Sequence, residues 1–163
     1  MKNYLLLLIS LLPIMIYGQE LKIDDETGKY TKKAVVEIDN MTQNEIYKKA
    51  IEWITLNYKS ADDVIQLKDE SIGKIIIKGN FSTGIFMKQG WIRHTLILDF
   101  KNNKFRYTYT DLSYFSTGSG DIAFEKRMMS KKKILAETES DIDKSMLELK
   151  DYIIKSNNSD DDW

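Results

Sequence analysis

The sequence of 163 residues contains no cysteine. A chain without cysteine forms no disulfide and offers no thiolate for catalysis. It also lacks the residue that carries the diacylglycerol anchor of a lipoprotein, so we expect no lipid anchor. An ordinary hydrophobic core must therefore stabilise the protein, and a hydrophobic content of 42% is sufficient to build one.

Histidine is almost as scarce, because His94 is the only one in the sequence. One histidine without cysteine argues against a conventional zinc site. A Ser-His-Asp triad would have to use His94, but the sequence has no Gly-x-Ser-x-Gly elbow. His94 falls on the apolar face of a predicted strand, where a hydrogen-bonded core or rim histidine is expected. We therefore predict no enzyme, no metal and no cofactor, and keep a periplasmic hydrolase that uses His94 or a carboxylate as the alternative.

The acidic residues do not form a recognisable site. A glycosidase needs two carboxylates about 5–10 Å apart in a cleft, whereas the carboxylate pairs here are adjacent in sequence and are expected to be solvated. The stretch STGSGD (116–121) lacks the Lys-Ser/Thr of a phosphate-binding loop, and the acidic tail lacks the spacing of a calcium loop. The pairs are Asp24–Asp25, Asp62–Asp63 and, in the tail, Asp160–Asp162.

The sequence also lacks an excess of basic charge. Lysine and arginine number 24 against 25 acidic residues, for a net charge of −1. Nucleic-acid binding draws on a cationic surface that neutralises phosphates. We therefore predict no nucleic-acid partner.

A long apolar run occurs at the N-terminus. Lys2 precedes the run Leu5–Ile16, which only Ser10 and Pro13 interrupt, and Gly18 follows it. This order predicts a secretory signal peptide over residues 1–18. The run is too short to span a bilayer comfortably, which takes about 20 residues, so an uncleaved anchor is the less favoured alternative. We expect an exported protein, periplasmic or secreted, that is not a lipoprotein.

The clearest predicted helix follows Thr42. Thr42 and Glu45 match the Thr-x-x-Glu capping box, in which each side chain accepts a hydrogen bond from the other residue's backbone. Met41 and Ile46 are placed to pack as a hydrophobic staple. Apolar residues then recur at helical spacing: Ile46, Ala50, Trp53, Ile54 and Tyr58.

Alternating apolar and polar residues predict strands in the rest of the chain, before a final helix. We expect residues 79–90 to form a long hairpin loop and residues 116–133 to interrupt the pattern. A stripe from Leu135 to Ile153 predicts the last helix, and Ser140 is a candidate either for its start or for a new turn of it. The predicted strands are one from Tyr30 to Asp39, then Asp63–Asp69, Lys74–Lys78, Ile92–Phe100 and Lys104–Leu112, the last two joined by a turn at Asn102–Asn103.

This order of strand, helix, four strands and helix predicts an α+β fold. Mostly consecutive strands favour an antiparallel sheet, and two helices are too few to cover both faces, so both should pack on one face. We expect a flexible leader over residues 19–29, a single domain over 30–156 and an acidic tail over 157–163.

Two stretches carry a resemblance to a known family: EWITLNYKSADDVIQLKDESIGKIIIKGN (52–80) and KFRYTYTDLSY (104–114). With them, the chain resembles the small exported domains of unknown function, common in Bacteroidetes, that have a TATA-binding-protein-like (TBP-like) fold. The resemblance covers roughly residues 33–114 and the final helix. It implies a β-α-β-β-β-β-α order and brings no activity, cofactor or catalytic residue.

The two faces of the predicted hairpin differ in chemistry. Phe105, Tyr107 and Tyr109 share one face, and we predict that they form the core and not a stacking platform for nucleic-acid bases. The opposite face would be a basic, hydroxyl-rich surface that binds an anionic partner: an envelope protein, a glycan or a lipid headgroup. We expect replacement of both arginines there by alanine to weaken such binding without unfolding the protein; a merely solvated face is the alternative. The predicted ligand-binding residues are Arg93, Arg106, Thr95, Thr108, Lys74 and Lys78, with Ile76 and Thr110 beside them.

The basic segment 126–133 suggests a further alternative. Phe124, Met128 and Met129 accompany its lysines and arginine, so the segment could lie on an anionic membrane surface. The favoured interpretation is an exposed approach to the last helix.

Overall fold

The computed structural model describes residues 20–58, 60–84, 90–118 and 120–157. The predicted signal peptide and residues 158–163 lie outside this part of the chain. No helix in the described ranges is long and apolar enough to cross a membrane. The elements, in chain order, are β1 (Lys22–Ile23), β2 (Tyr30–Glu37), α1 (Gln43–Asn57), α2 (Ala61–Val64), β3 (Ile65–Asp69), β4 (Lys74–Thr83), β5 (Gly90–Lys101), β6 (Lys104–Ser116), β7 (Gly120–Ala123) and α3 (Lys131–Asn157).

The seven strands of the described residues form one antiparallel sheet. Its order is β1-β2-β6-β5-β4-β3, with β7 paired to β6 beyond the end of β2. The turn between β5 and β6 falls at Asn102–Asn103 as predicted, and Asn103 has a φ of 64°, which asparagine tolerates better than most residues. This sheet and its helices confirm the α+β prediction.

Helix α1 begins at the predicted capping box. The backbone N–H of Glu45 donates to Thr42 Oγ1 at 3.3 Å, and the backbone N–H of Thr42 donates to Glu45 Oε2 at 2.7 Å. The tip of the β5–β6 hairpin also supports this end of the helix, because Asn102 Oδ1 accepts from the N–H of Gln43 at 2.9 Å. These bonds satisfy backbone donors that the first turn leaves unpaired.

Helices α1 and α3 cover one face of the sheet, as predicted. The aromatic residues Phe105, Tyr107 and Tyr109 of β6 are buried there, which confirms their assignment to the core. Removing apolar area of this kind from water is the main driving force for folding. The residues that α1 and α3 add to the same core include Ile46, Ala50, Trp53, Ile54, Ile142, Met146, Leu149 and Ile153.

A β-bulge divides β6 into two parts. Arg93 of β5 pairs with Ser113 and Thr95 pairs with Thr110, so two residues of β6 lie opposite one residue of β5. Asp111 adopts a φ of 54° at this point. A bulge of this kind shifts the strand by one residue. The inward positions therefore change from odd numbers before the bulge to even numbers after it, where Leu112 and Tyr114 extend the buried face.

Three predicted element boundaries are wrong. Residues 63–64 belong to the short helix α2 and not to a strand, because the turn from Ser60 brings the backbone N–H of Asp63 and of Val64 to the Ser60 carbonyl. Residues 79–83 continue β4 instead of forming a loop, since they pair with Gly90–His94; residues 85–89 lie outside the described ranges. Helix α3 begins at Lys131, within the predicted interruption 116–133, so Ser140 falls inside the helix, the second of its two predicted alternatives. Residues 120–123 of the same interruption form β7.

The structure also differs from the prediction of a flexible leader. Leu21 is buried, and β1 pairs with the start of β2. The N–H of Leu21 donates to the Glu139 carboxylate of α3 at 3.1 Å. The same carboxylate lies 3.0 Å from the ammonium of Lys32, which is also 2.6 Å from Asp143. Long-range contacts, which local periodicity does not show, therefore tie this segment to the domain.

Candidate functional site

The face of the sheet opposite α1 and α3 carries the residues that we predicted to bind a ligand. Register places Thr108, Ile97 and Ile76 side by side across three strands. The neighbouring row contains Arg106, Asp99 and Lys74. The predicted division of the hairpin into two faces is thus confirmed, and we call this surface the outer face.

Arg106 and Lys74 are not free cations on the outer face. Asp99 lies between them, with its carboxylate 2.8 Å from Arg106 Nη2 and 2.9 Å from Lys74 Nζ. Burial alone would raise the pKa of Asp99, but hydrogen bonds from Lys74 and Arg106 outweigh it and lower that pKa below its usual value. An anionic ligand would have to compete with Asp99 for both cations.

A different group of residues surrounds an open depression beside the bulge. Its volume is ≈ 470 Å³, and we call it the bulge pocket. Three of the six predicted residues lie here, whereas the other three lie in the rows around Asp99. The pocket is lined by Lys78, Gly79, Asn80, Arg93, His94, Thr95 and Asp111.

The bulge pocket combines cations with hydrogen-bond acceptors. Arg93 forms an ion pair with Asp121 of β7, and Lys29 forms one with Asp111. The hydrogen bond from Lys29 lowers the pKa of Asp111, burial opposes this, and the Thr95 hydroxyl and the charge of Lys78 lower it further. Among the described residues, Lys78 forms no ion pair of its own, so its ammonium is available to a ligand.

An aromatic shelf borders the pocket. The rings of Trp91 and Phe115 lie 5.8 Å apart between centroids, and both are partly exposed. The Arg93 guanidinium stands 4.1 Å above the Phe115 ring, a cation–π geometry. Stacking of this kind holds the arginine in one orientation at the edge of the pocket.

Of the seven residues that line the bulge pocket, the sequence predicted three as ligand-binding residues. Apart from Gly79 and the buried His94, it missed Asn80 and Asp111. Asn80 fell in a segment that we assigned to a loop. Asp111 lies within the predicted strand Lys104–Leu112, and the signal that could have identified it is the spacing between Tyr109 and Leu112. Two inward residues three positions apart indicate a bulge between them.

His94 lies on the predicted apolar face and is buried, with 3% of its surface exposed. Its ring stacks on Phe81 at 4.4 Å and meets Tyr109 edge-on at 4.9 Å. The expectation of a hydrogen-bonded histidine is wrong, since neither ring nitrogen has a partner in the described structure. Burial lowers the pKa of His94 to about 4, and the backbone carbonyl of Ile92, which is near the ring but not in hydrogen-bonding geometry, opposes the shift only in part. No acid–base partner of the kind that a hydrolase requires contacts the ring there.

The other residues considered for a catalytic or metal site do not come together within the described part of the chain. Asp24 closes a local turn by accepting from the N–H groups of Glu26 and Thr27, and Asp62 and Asp63 are exposed on α2. In the ranges that the structure describes, no three His, Cys, Asp or Glu residues are placed to hold a metal ion. Phe124, which precedes the basic segment, is buried, whereas Met129 within that segment is 81% exposed.

The fold can now be compared with the structures of known proteins. A TBP-like protein from Parabacteroides distasonis has a similar structure, with a TM-score of 0.68 and 13% identity over 80% of this chain and 96% of that one. A DUF4468 family protein from Bacteroides ovatus gives a TM-score of 0.66 and 14% identity over 80% of this chain and 90% of that one. These likenesses support the fold, as does the resemblance found in the sequence.

No curated protein matches the chain. A family model, described as a domain of unknown function (DUF4468) with TBP-like fold, matches residues 32–115. The match runs from β2 to β6 and so includes α1, the bulge and all the residues that line the bulge pocket. The chain therefore belongs to the DUF4468 family of domains of unknown function with a TBP-like fold.

Proposed function

We propose that the chain is an exported, non-enzymatic domain that binds an acidic glycan in the bulge pocket. The N-terminal sequence pattern supports export. The observation that carries the binding proposal is the convergence of Lys78, Arg93 and Thr95 on one depression of the outer face. The family supplies no activity that would argue for or against it.

The mixed chemistry of the pocket favours a glycan over a simple anion. Lys78 and Arg93 suit a carboxylate or sulfate group, because charge-assisted hydrogen bonds to anions are strong. Asp111 would repel a bare phosphate, whereas it can accept hydrogen bonds from sugar hydroxyls, and the Asn80 amide can both accept them and donate them. The aromatic shelf of Trp91 and Phe115 adds an apolar surface against which a sugar ring can pack.

The structure offers a matched control for the test. Arg106 lies on the same face as Arg93 and is similarly exposed, and each arginine forms one ion pair, Arg93 with Asp121 and Arg106 with Asp99. Only Arg93 lines the bulge pocket. It pairs opposite Asp99, six residues along β5 from Arg93, which corresponds to roughly 20 Å. Arg93→Ala and Arg106→Ala each remove one positive charge from the outer face, the first at the bulge pocket and the second away from it.

The experiment is isothermal titration of the purified domain with a uronic-acid oligosaccharide, with a neutral glucose oligosaccharide as control ligand. We expect Arg93→Ala to weaken uronate binding about tenfold, the loss of one charge-assisted hydrogen bond, and Arg106→Ala to leave it within about twofold. Equal weakening by both variants, or no uronate binding, would refute the assignment. Flotation with anionic phospholipid vesicles is the second arm, and binding there without uronate binding would favour the membrane alternative.

A further inference from the structure

A second concavity lies between the end of α1, the part of β4 beyond β3, and the middle of α3. Its volume is ≈ 640 Å³, which is within the range of sites for small organic molecules. We call it the helix cleft. None of the residues that we predicted to bind a ligand lines the helix cleft. The cleft shares only Asn80 with the lining of the bulge pocket.

Three aromatic rings wall the helix cleft. Trp53 and Tyr58 both line the cleft, with their ring centroids 6.4 Å apart and their planes at 79°. Phe81 of β4 contributes the third ring. Perpendicular aromatic walls of this kind surround quaternary ammonium groups in proteins, because the face of each ring carries negative charge density.

Residues packed against Phe81 and Tyr58 hold these two rings in place, so the cleft is preformed. The Phe81 ring stacks on the buried His94 ring at 4.4 Å. Tyr58 packs directly over Gly79, where a Cβ atom would lie 3.0 Å from Tyr58 Cε1 and 2.8 Å from His94 Nε2. A glycine is therefore needed at position 79 for the ring to reach this position. A preformed site loses little conformational entropy when it binds a ligand.

The charges of the cleft favour a cation. Asp141 and Glu148 of α3 line it together with Lys144. Lys144 lies 4.0 Å from Glu148, and its side chain is largely exposed. Within the described residues, Asp141 has no ion pair. Burial and the charge of Glu137 raise its pKa, and the charge of Lys144 opposes this shift without cancelling it. A carboxylate in this situation is stabilised by any positive charge that enters the cleft.

We propose that the helix cleft binds a small organic cation of the quaternary ammonium type. The alkyl groups of the ligand pack against Trp53, Tyr58 and Phe81, and its charge faces the Asp141 carboxylate. This site is independent of the proposed glycan site on the outer face, so either can fail without the other.

The probe is choline, titrated into the isotopically labelled domain while its backbone amide and indole N–H signals are followed by NMR. The control ligand is neohexyl alcohol, which has the same shape but carries a carbon atom in place of the charged nitrogen. We expect saturable shifts of the Trp53 indole and Asn57 amide signals with choline, and at least about fivefold weaker binding of the alcohol.

Two variants locate the charge. Asp141→Asn keeps the size of the side chain and should weaken choline binding about fivefold, since it removes the facing charge. Asp151→Asn removes a carboxylate of the same helix that does not line the cleft, and it should leave binding unchanged. Equal affinity for choline and the alcohol, equal effects of the two variants, or shifts confined to residues outside the cleft would each overturn the proposal.

Discussion

The buried His94 ring makes the stability of the domain depend on pH. Its ordinary pKa is 6.5, and burial lowers it to about 4 in the folded protein. The unfolded chain therefore takes up a proton near pH 6.5, whereas the folded protein does so only near pH 4. Folding stability falls as the pH is lowered through this window and the His94 contribution levels off below it.

The magnitude follows from the two pKa values. Each tenfold change in proton affinity is worth ~1.4 kcal/mol, so the full loss is about 3 kcal/mol at pH 4 and below, and about 2 kcal/mol of it is reached by pH 5. The other titratable groups near the ring are Tyr58 and Tyr109. Burial raises the pKa of each further above its usual value, to about 12 for Tyr58, so neither titrates in this window.

The assay is urea unfolding of the wild type and His94→Leu at several pH values from 7 to 5. We expect the wild type to lose about 2 kcal/mol over this range relative to the variant. At pH 7 the variant should be at least as stable, because leucine leaves no unpaired nitrogen in the core. Carboxylates that titrate in the same range act on both proteins and cancel in the comparison. Parallel pH profiles for the two proteins would refute a buried neutral histidine.

Two further substitutions test the packing and the helix start. Gly79→Ala should destabilise the domain by about 1–3 kcal/mol in thermal or urea unfolding, because the added Cβ meets His94 Nε2 at 2.8 Å. The control is Gly84→Ala, because a Cβ atom there meets nothing within 4 Å. Equal destabilisation by the two substitutions would contradict the packing argument. Thr42→Ala should cost about 1 kcal/mol by removing the cap of α1, and an unchanged unfolding midpoint would show that the capping box contributes nothing.

Local patterns in the sequence predicted the parts of the fold that depend on local interactions. The capping box at Thr42 acts over three residues, and the alternation around Tyr107 reports which side of a strand is buried. Both were read correctly because the causes lie within a few residues of each other. The first residues of α3 were left in the predicted interruption because Ile134 packs with Leu21 and Phe124 in a second apolar cluster, a contact that the apolar stripe from Leu135 onwards does not reveal.

The candidate site was only partly predictable, because it depends on the pairing of strands. Arg93 and Arg106 look equivalent in the sequence, since both are outward arginines of one hairpin. Register places Arg106 beside Asp99 and brings Arg93 to the bulge next to Asp121. Both arginines are paired with a carboxylate, and only Arg93 lines the bulge pocket. This difference is decided by long-range neighbours, and a one-residue change of register would alter the surroundings of both.

The bulge links the core of the domain to the proposed glycan site. Without an extra residue in β6, Leu112 and Tyr114 would point outward, and the buried face would end at Tyr109. The residue that absorbs this shift is Asp111, which the same backbone geometry directs towards Lys29 and the pocket. The carboxylate of the pocket and the continuity of the apolar core thus have one cause. A site built on paired strands is as rigid as the sheet itself. Recognition of a ligand by a few polar groups requires this rigidity, because those groups must already be in place when the ligand binds.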